Sequence, residues 1–182
     1  SGTGQLRGTQ AQRNTGDFLR SAGPLSMRWM WIDQIIDFAA GERMSAVKNV
    51  SLSEEHMHDH FPADQRFQAE PVMPASLMIE GMAQTAGILV GAVNNFTEKV
   101  VLAKIARAEL AAEVRPGGTI RYDAVIDRID EVGAATSGTV SVRHPDSEDW
   151  NQIGHVDLMF SHVDHNMAGL DFPEENFVFS DN

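Results

Sequence analysis

Two kinds of hydrophobic pattern occur along the chain. Residues 75–93 are apolar or small around the whole helical circumference, which predicts a helix surrounded by protein. Before this helix, the runs RWMWIDQIIDF and SAVKNVSL flank a turn at AAGERM and predict a β-hairpin. After it, about four further runs have the period of strands and are separated by RPGG, EVG and HPDSED. This order predicts an α+β fold in which an antiparallel sheet wraps around one long central helix.

The length of 182 residues suits one folded domain with tails. Residues 1–26 are rich in Gly, Thr, Gln and Arg, and they predict a flexible N-terminal arm. The folded domain is expected over residues 27–165. Residues 166–182 form an acidic, Phe-containing C-terminal tail.

Composition and charge exclude several classes of function. A formal net charge of -12 argues against a general nucleic-acid binder, which needs a basic face, and the lack of cysteine excludes thiolate chemistry. The apolar run from Leu77 to Val93 approaches membrane-spanning length. It contains Glu80 and Gln84, however, so we expect a buried helix rather than a membrane span. No positively charged, apolar signal segment opens the chain, and a cytoplasmic protein is the default expectation.

The side chains with most chemistry lie in HMHDHFPADQRFQAEPVMPASLMIEGMAQ, residues 56–84. The segment has three interpretations: a metal site, an ordinary buried helix in which Glu80 is a structural partner, or an acid/base pair separated by a loop. For a metal, His56, His58 and His60 would share one face of an extended strand. The more distant His162 and His165 would add ligands. We favour no functional metal, with the first two histidines of the segment facing solvent.

Two motif regions together resemble a known family. The segment WIDQIIDFAAGERMSAVKNVSLSEEHMHDHFP, followed by PVMPASLMIEGMAQTAGIL, is similar to the hot-dog-fold 3-hydroxyacyl-ACP dehydratases of fatty-acid synthesis. The combination of His-Phe-Pro, Pro-Val-Met-Pro and Glu-x-x-x-Gln is the specific part, and the resemblance covers about residues 27–165. It implies a hot-dog fold and a homodimer with active sites at the dimer interface. Assembly of such dimers into a larger oligomer stays open.

The resemblance also implies the reaction and its two catalytic groups. His60 of one subunit and Glu80 of the other would dehydrate a (3R)-3-hydroxyacyl thioester of acyl carrier protein, or of CoA, to the trans-2-enoyl thioester without a cofactor. A neutral histidine suits removal of the proton next to the carbonyl. A carboxyl can protonate the leaving hydroxide only if it stays protonated, which burial among apolar neighbours favours.

Other residues of the segment would support these two groups. N–H groups at the helix start, around Ala75 and Ser76, would bind the thioester oxygen. Gln84 would orient the carboxyl or satisfy buried backbone. The pair Phe61 and Pro62 would fix the catalytic histidine.

The chain departs from the family pattern in two places. The loop ADQRFQAE, residues 63–70, is longer than the family's, and Arg66 and Phe67 are its candidate contacts if it acts as a lid over the acyl chain. It is otherwise a surface loop. Ala75 stands where the family usually has glycine. A hot-dog thioesterase or hydratase, in which Glu80 activates water, and a non-catalytic acyl-binding protein are therefore the alternatives.

Overall fold

The computed structural model describes residues 30–163 except 59, 61 and 67. The predicted arm, 1–26, and the predicted tail, 166–182, lie outside the described residues. The described residues form six strands and two helices, in the order β1 (Gln34–Ala39), β2 (Arg43–Asn49), α1 (Glu55–His58), α2 (Ala75–Val93), β3 (Lys99–Leu110), β4 (Thr119–Ile129), β5 (Gly133–Arg143) and β6 (Asn151–Val163). The predicted order of two strands, one long helix and four strands is confirmed.

All six strands form one antiparallel sheet in the order β1-β2-β4-β5-β6-β3. The predicted hairpin is β1 with β2, where Ala39 lies opposite Arg43. The chain then crosses the sheet through α2 and returns along β3, at the edge opposite β1. This arrangement confirms the predicted α+β fold of a sheet around a central helix, because α2 contacts every strand from β2 to β6.

The core lies between α2 and the inner face of the sheet. Along β4, Ile120, Tyr122 and Ala124 are buried, while the residues between them are only partly covered. This period of two is the alternation expected of a sheet with one covered face. By length and composition α2 could cross a membrane, but 61% of its apolar window is buried inside the fold, as expected for a core helix.

Helix and sheet pack closely at Gly81. A Cβ atom added there would overlap the ring of Tyr122, so only glycine leaves room for this ring beneath the helix. The Tyr122 ring is fully buried, and burial raises the pKa of its hydroxyl. There is more room at Gly87, about two turns further along α2. A Cβ atom added there would have its nearest neighbour, a ring atom of Phe160, at 3.6 Å.

This difference predicts opposite effects of alanine at the two glycines. Gly81→Ala should lower the free energy of unfolding by about 1–3 kcal/mol, because the new methyl group must displace a buried ring. Gly87→Ala should raise it by about 0.5–1 kcal/mol through reduced flexibility of the unfolded chain. Urea unfolding at equal protein concentration measures both values, and equal effects at the two sites would contradict this packing.

Candidate active site

The main chain of the preceding turn holds the His60 side chain in place. His60 follows α1, and Met57 of α1 is buried in the core. The Nδ1 atom of His60 lies 2.7 Å from the carbonyl oxygen of Met57. A carbonyl only accepts hydrogen bonds, so Nδ1 carries the proton and Nε2 of the neutral ring carries the lone pair. The imidazole is therefore held in the tautomer that can remove a proton through Nε2.

A second set of contacts fixes Glu80 on α2. The Gln84 side chain is buried one turn after Glu80, and its Nε2 donates to Glu80 Oε1 at 3.0 Å. The other end of the amide, Oε1, accepts from the backbone N–H of Trp31 at 2.9 Å. Since that N–H can only donate, the amide is oriented with its NH2 group toward the carboxyl. Gln84 thus satisfies buried backbone and orients Glu80, the two roles between which the sequence could not choose.

The expected burial of Glu80 among its apolar sequence neighbours is not found in the single subunit. In the single subunit its side chain is exposed, although Met78 and Met82 are buried against the sheet. Residues adjacent in sequence point to different sides of a helix, whereas residues four apart share one side. The apolar neighbours of Glu80 in the sequence therefore do not surround it, and it lies on the side of α2 that the sheet leaves uncovered.

The start of α2 offers free N–H groups close to Glu80. Ala75 and Ser76 are both exposed, and no side chain caps the helix at Pro74. The first N–H groups bonded to the Pro74 carbonyl are those of Leu77 and Met78, at 3.0 and 3.1 Å. The N–H groups of the two residues before them therefore precede the first intrahelical bonds and are available to an oxygen atom of a ligand.

The structure places the remaining predicted residues in an exposed loop or does not describe them. Pro62 and Arg66 are exposed in the single chain. The backbone N–H of Arg66 donates to Asp64 Oδ1 at 2.7 Å, which forms a local turn. Phe61 and Phe67 lie outside the described residues, so the lid hypothesis stays a prediction.

The extended strand on which a metal site would need His56, His58 and His60 is not found, and the expectation that His56 faces solvent is wrong, because its side chain is only 19% exposed. His56 and His58 belong to the short helix α1, in which positions two apart point in different directions. The His56 ring packs edge-on against the Trp31 ring, with 5.0 Å between the ring centroids, and His58 is exposed. His60 is bonded to a main-chain carbonyl instead.

The more distant histidines do not join this segment. His162 lies on β6, where its Nδ1 is 3.0 Å from Glu98 Oε2, and His165 lies outside the described residues. In the part of the chain that the structure describes, no three His, Cys, Asp or Glu side chains are grouped so that they could hold a metal ion.

Two of the contacts that fix the site come from the main chain. Neither the Met57 carbonyl nor the Trp31 N–H depends on the side chain at its position, so the residue types carry no signal for them. The sequence signals only the contact between Gln84 and Glu80, because a spacing of four residues places the two on one helix face.

Comparison with known proteins identifies the family of this chain. Residues 24–144 match the family model described as a FabA-like domain. A curated 3-hydroxyacyl-[acyl-carrier-protein] dehydratase FabZ from Oenococcus oeni is 31% identical over 108 residues, which are 58% of this chain and 73% of that protein. The protein of the same name from Fusobacterium nucleatum is 35% identical over 103 residues, or 56% of this chain and 67% of that one.

Solved structures with low identity show the same fold. The dehydratase heterocomplex ApeI:P from Xenorhabdus doucetiae matches with a TM-score of 0.57 at 14% identity, covering 75% of this chain and 84% of that one. An acyl-CoA hydrolase from Staphylococcus aureus, in complex with butyryl coenzyme A, matches with a TM-score of 0.51 at 12% identity, covering 67% and 66%. Together with the family match over residues 24–144, which include both His60 and Glu80, these likenesses show that the chain belongs to the FabA-like family and has its hot-dog fold.

Proposed function

We propose that this chain is a 3-hydroxyacyl-[acyl-carrier-protein] dehydratase. It removes water from a (3R)-3-hydroxyacyl thioester and leaves the trans-2-enoyl thioester. The observation that carries the proposal is the pair of fixed groups, an imidazole with a free Nε2 and a carboxyl held by an amide, in a chain of the FabA-like family. The two FabZ relatives, from O. oeni and F. nucleatum, carry the name of this activity.

His60 is the base of the proposed reaction. Its Nε2 takes the proton from the carbon next to the thioester carbonyl, and negative charge moves to the carbonyl oxygen. The N–H groups of Ala75 and Ser76 stabilise that charge, because they point from the start of α2 and have no intrahelical acceptor. The Met57 carbonyl holds the ring while it changes from neutral to charged.

Glu80 is the acid that completes the step. Its Oε1 accepts a hydrogen bond from Gln84, so the proton is carried by the other carboxyl oxygen, Oε2. That proton passes to the 3-hydroxyl group as the carbon–oxygen bond breaks, and water leaves. The electron pair left by the first proton forms the new carbon–carbon double bond.

The active site is completed by a second copy of the chain. In the single subunit the edge strand β3 is exposed along residues 101–109, including the apolar Val101, Leu102 and Ile105. A long uncovered edge strand with apolar side chains favours pairing with another chain. A homodimer formed there covers this surface. In it, His60 of one subunit faces Glu80 of the partner subunit, and the loss of water around the carboxyl favours its protonated form.

The substrate is carried by acyl carrier protein, as in the names of the relatives, with CoA thioesters as the second carrier. The protein is proposed to be soluble, since 61% of the apolar window of α2 is buried inside the fold, and the cytoplasm is the compartment proposed for its synthesis of acyl chains. The loop with Arg66 and Phe67 borders the acyl chain as a lid, and the methyl group of Ala75 narrows the space beside the thioester. Both features would set the chain length that the enzyme accepts.

The two alternative functions have less support. Acyl-CoA hydrolases share the fold at only 12% identity, and a shared fold does not carry an activity with it. A thioesterase would release free thiol from the substrate, while a dehydratase releases none. A non-catalytic acyl-binding protein would bind long acyl thioesters without converting them, and nothing in its role requires the orientation of His60 and Glu80 described above.

Removing either catalytic group should abolish dehydration. We expect His60→Ala and Glu80→Gln each to lower kcat about 100- to 10,000-fold, because each variant loses one proton transfer. The measurement is enoyl absorbance together with free thiol, using synthetic 3-hydroxyacyl thioesters of graded length.

The matched controls are His58→Ala and Glu55→Gln, which change an exposed histidine and an exposed glutamate of α1. Both should keep activity close to that of the unchanged protein. Full activity in either His60→Ala or Glu80→Gln would refute the proposed roles, and thiol release in place of enoyl formation would favour the thioesterase.

Loss of the buried amide should affect turnover more than substrate binding. Gln84→Leu removes the side-chain oxygen that accepts from the Trp31 N–H, at a cost of about 1–3 kcal/mol in the free energy of unfolding. It also releases Glu80, so we expect kcat to fall about tenfold with a smaller change in KM. The control is Gln152→Leu, at an exposed position of β6. Unchanged kcat in a folded Gln84→Leu protein would show that Gln84 does not orient the acid.

A further inference from the structure

A lysine is buried next to the proposed active site, and the reaction does not use it. Lys48 lies on β2 at a position that alternates with Met44 and Ala46, so it occupies the inner face of the sheet. Only 6% of its side chain is exposed. A buried ammonium group is strongly unfavourable unless other groups pair with it. Its partners therefore show what keeps it there.

Two carboxylates from different segments surround the ammonium group. Lys48 Nζ is in contact with Glu54 Oε1, lies 3.3 Å from Asp33 Oδ1, and donates to the Asn49 carbonyl at 2.9 Å. Asp33 comes just before β1, and Glu54 comes just before α1. The ion pairs therefore join the segment that leads into β1 to the segment that carries the catalytic histidine.

The cluster of Lys48, Asp33 and Glu54 is connected to His60 by two main-chain hydrogen-bond acceptors. The Glu54 carbonyl accepts from the backbone N–H of Met57 at 2.9 Å, which closes the turn of α1. The Met57 carbonyl in turn accepts from His60 Nδ1. The position of Glu54, set by Lys48, is therefore transmitted to the imidazole through one short helix.

The same cluster is connected to Glu80 through contacts of His56, Trp31 and Gln84. Glu54 Oε2 lies 3.4 Å from His56 Nε2, and the His56 ring packs against Trp31. The Trp31 N–H donates to the amide oxygen of Gln84, and the amide NH2 group of Gln84 donates to the Glu80 carboxyl. The cluster thus contacts the supports of both the proposed base and the proposed acid.

We propose that Lys48, through its ion pair with Glu54, is a positioning residue for His60 and Glu80. The proposal rests on the proposed dehydration. Without the ammonium group, the carboxylates of Asp33 (37% exposed) and Glu54 (24% exposed) lose the cation between them and repel each other, and the Glu54 segment moves away. A shift of the imidazole by about 1 Å is enough to lower a rate about 100-fold.

The test compares variants that keep size while they change charge. Lys48→Met should lower kcat per folded subunit about 10- to 100-fold and change KM less than about threefold, because geometry rather than binding is lost. The double variant Lys48→Met/Glu54→Gln should recover part of kcat, since it removes the repulsion. Arg43→Met is the control: it breaks an exposed ion pair on the same strand, 2.9 Å from Asp37, and should keep kcat.

A second readout does not depend on activity. In protein labelled with ¹⁵N-histidine, NMR should show His60 with its proton on Nδ1, and Lys48→Met should give a mixture of tautomers. If Lys48→Met does not fold, Glu54→Gln decides, with an expected loss of about tenfold in kcat and the same tautomer change. A folded variant with unchanged kcat and an unchanged His60 signal would overturn the proposal. Absence of dehydration by the unchanged protein would instead refute the proposed function, and the NMR result would still decide the role of Lys48.

Discussion

A helix that is apolar around its whole circumference needs more cover than one curved sheet provides. In this chain the sheet covers the side of α2 that carries Met78 and Met82, and it leaves Ser76 and Glu80 exposed on the opposite side. The same subunit has an uncovered edge at β3 with apolar side chains. Both surfaces are stabilised if a second copy covers them. The proposed acid lies on the exposed side of α2. A second copy that covers this side therefore both buries the helix and encloses the acid.

Neutral groups orient both proposed catalytic side chains. A main-chain carbonyl holds His60, and a side-chain amide holds Glu80. Neutral partners fix the direction of a titratable group with much less effect on its charge than an ion pair would have. The charged groups of this region include Lys48 and Glu54. Their ion pair stabilises the segments that supply these neutral partners.

The sequence predicts the parts of this arrangement that depend on local pattern. The helix from Ala75 to Val93, the hairpin and the four later strands follow from hydrophobic period and turn residues, and all are found. The motif resemblance directs attention to the same two residues, His60 and Glu80, that the structure provides with fixed partners.

Other features depend on contacts between distant segments, which local pattern does not encode. The three alternate histidines suited a strand, but the buried Met57 and the ion pair of Glu54 stabilise a helical turn at that place. Exposure of Glu80 depends on which side of α2 the sheet covers. Gln84 meets Trp31 across 53 residues of chain, through a main-chain group that any residue would supply.

In the proposed dimer, one active site is built from His60 of one subunit and Glu80 of the partner subunit. Mixed refolding of His60→Ala with Glu80→Gln measures whether two subunits share a site in this way. If each variant alone is inactive, random pairing makes half of the dimers mixed, and each mixed dimer has one intact site of two. A site shared between subunits should therefore give about a quarter of the dehydration rate of the unchanged protein. A mixture as inactive as its two components, with mixed dimers demonstrated by mass spectrometry, would contradict it.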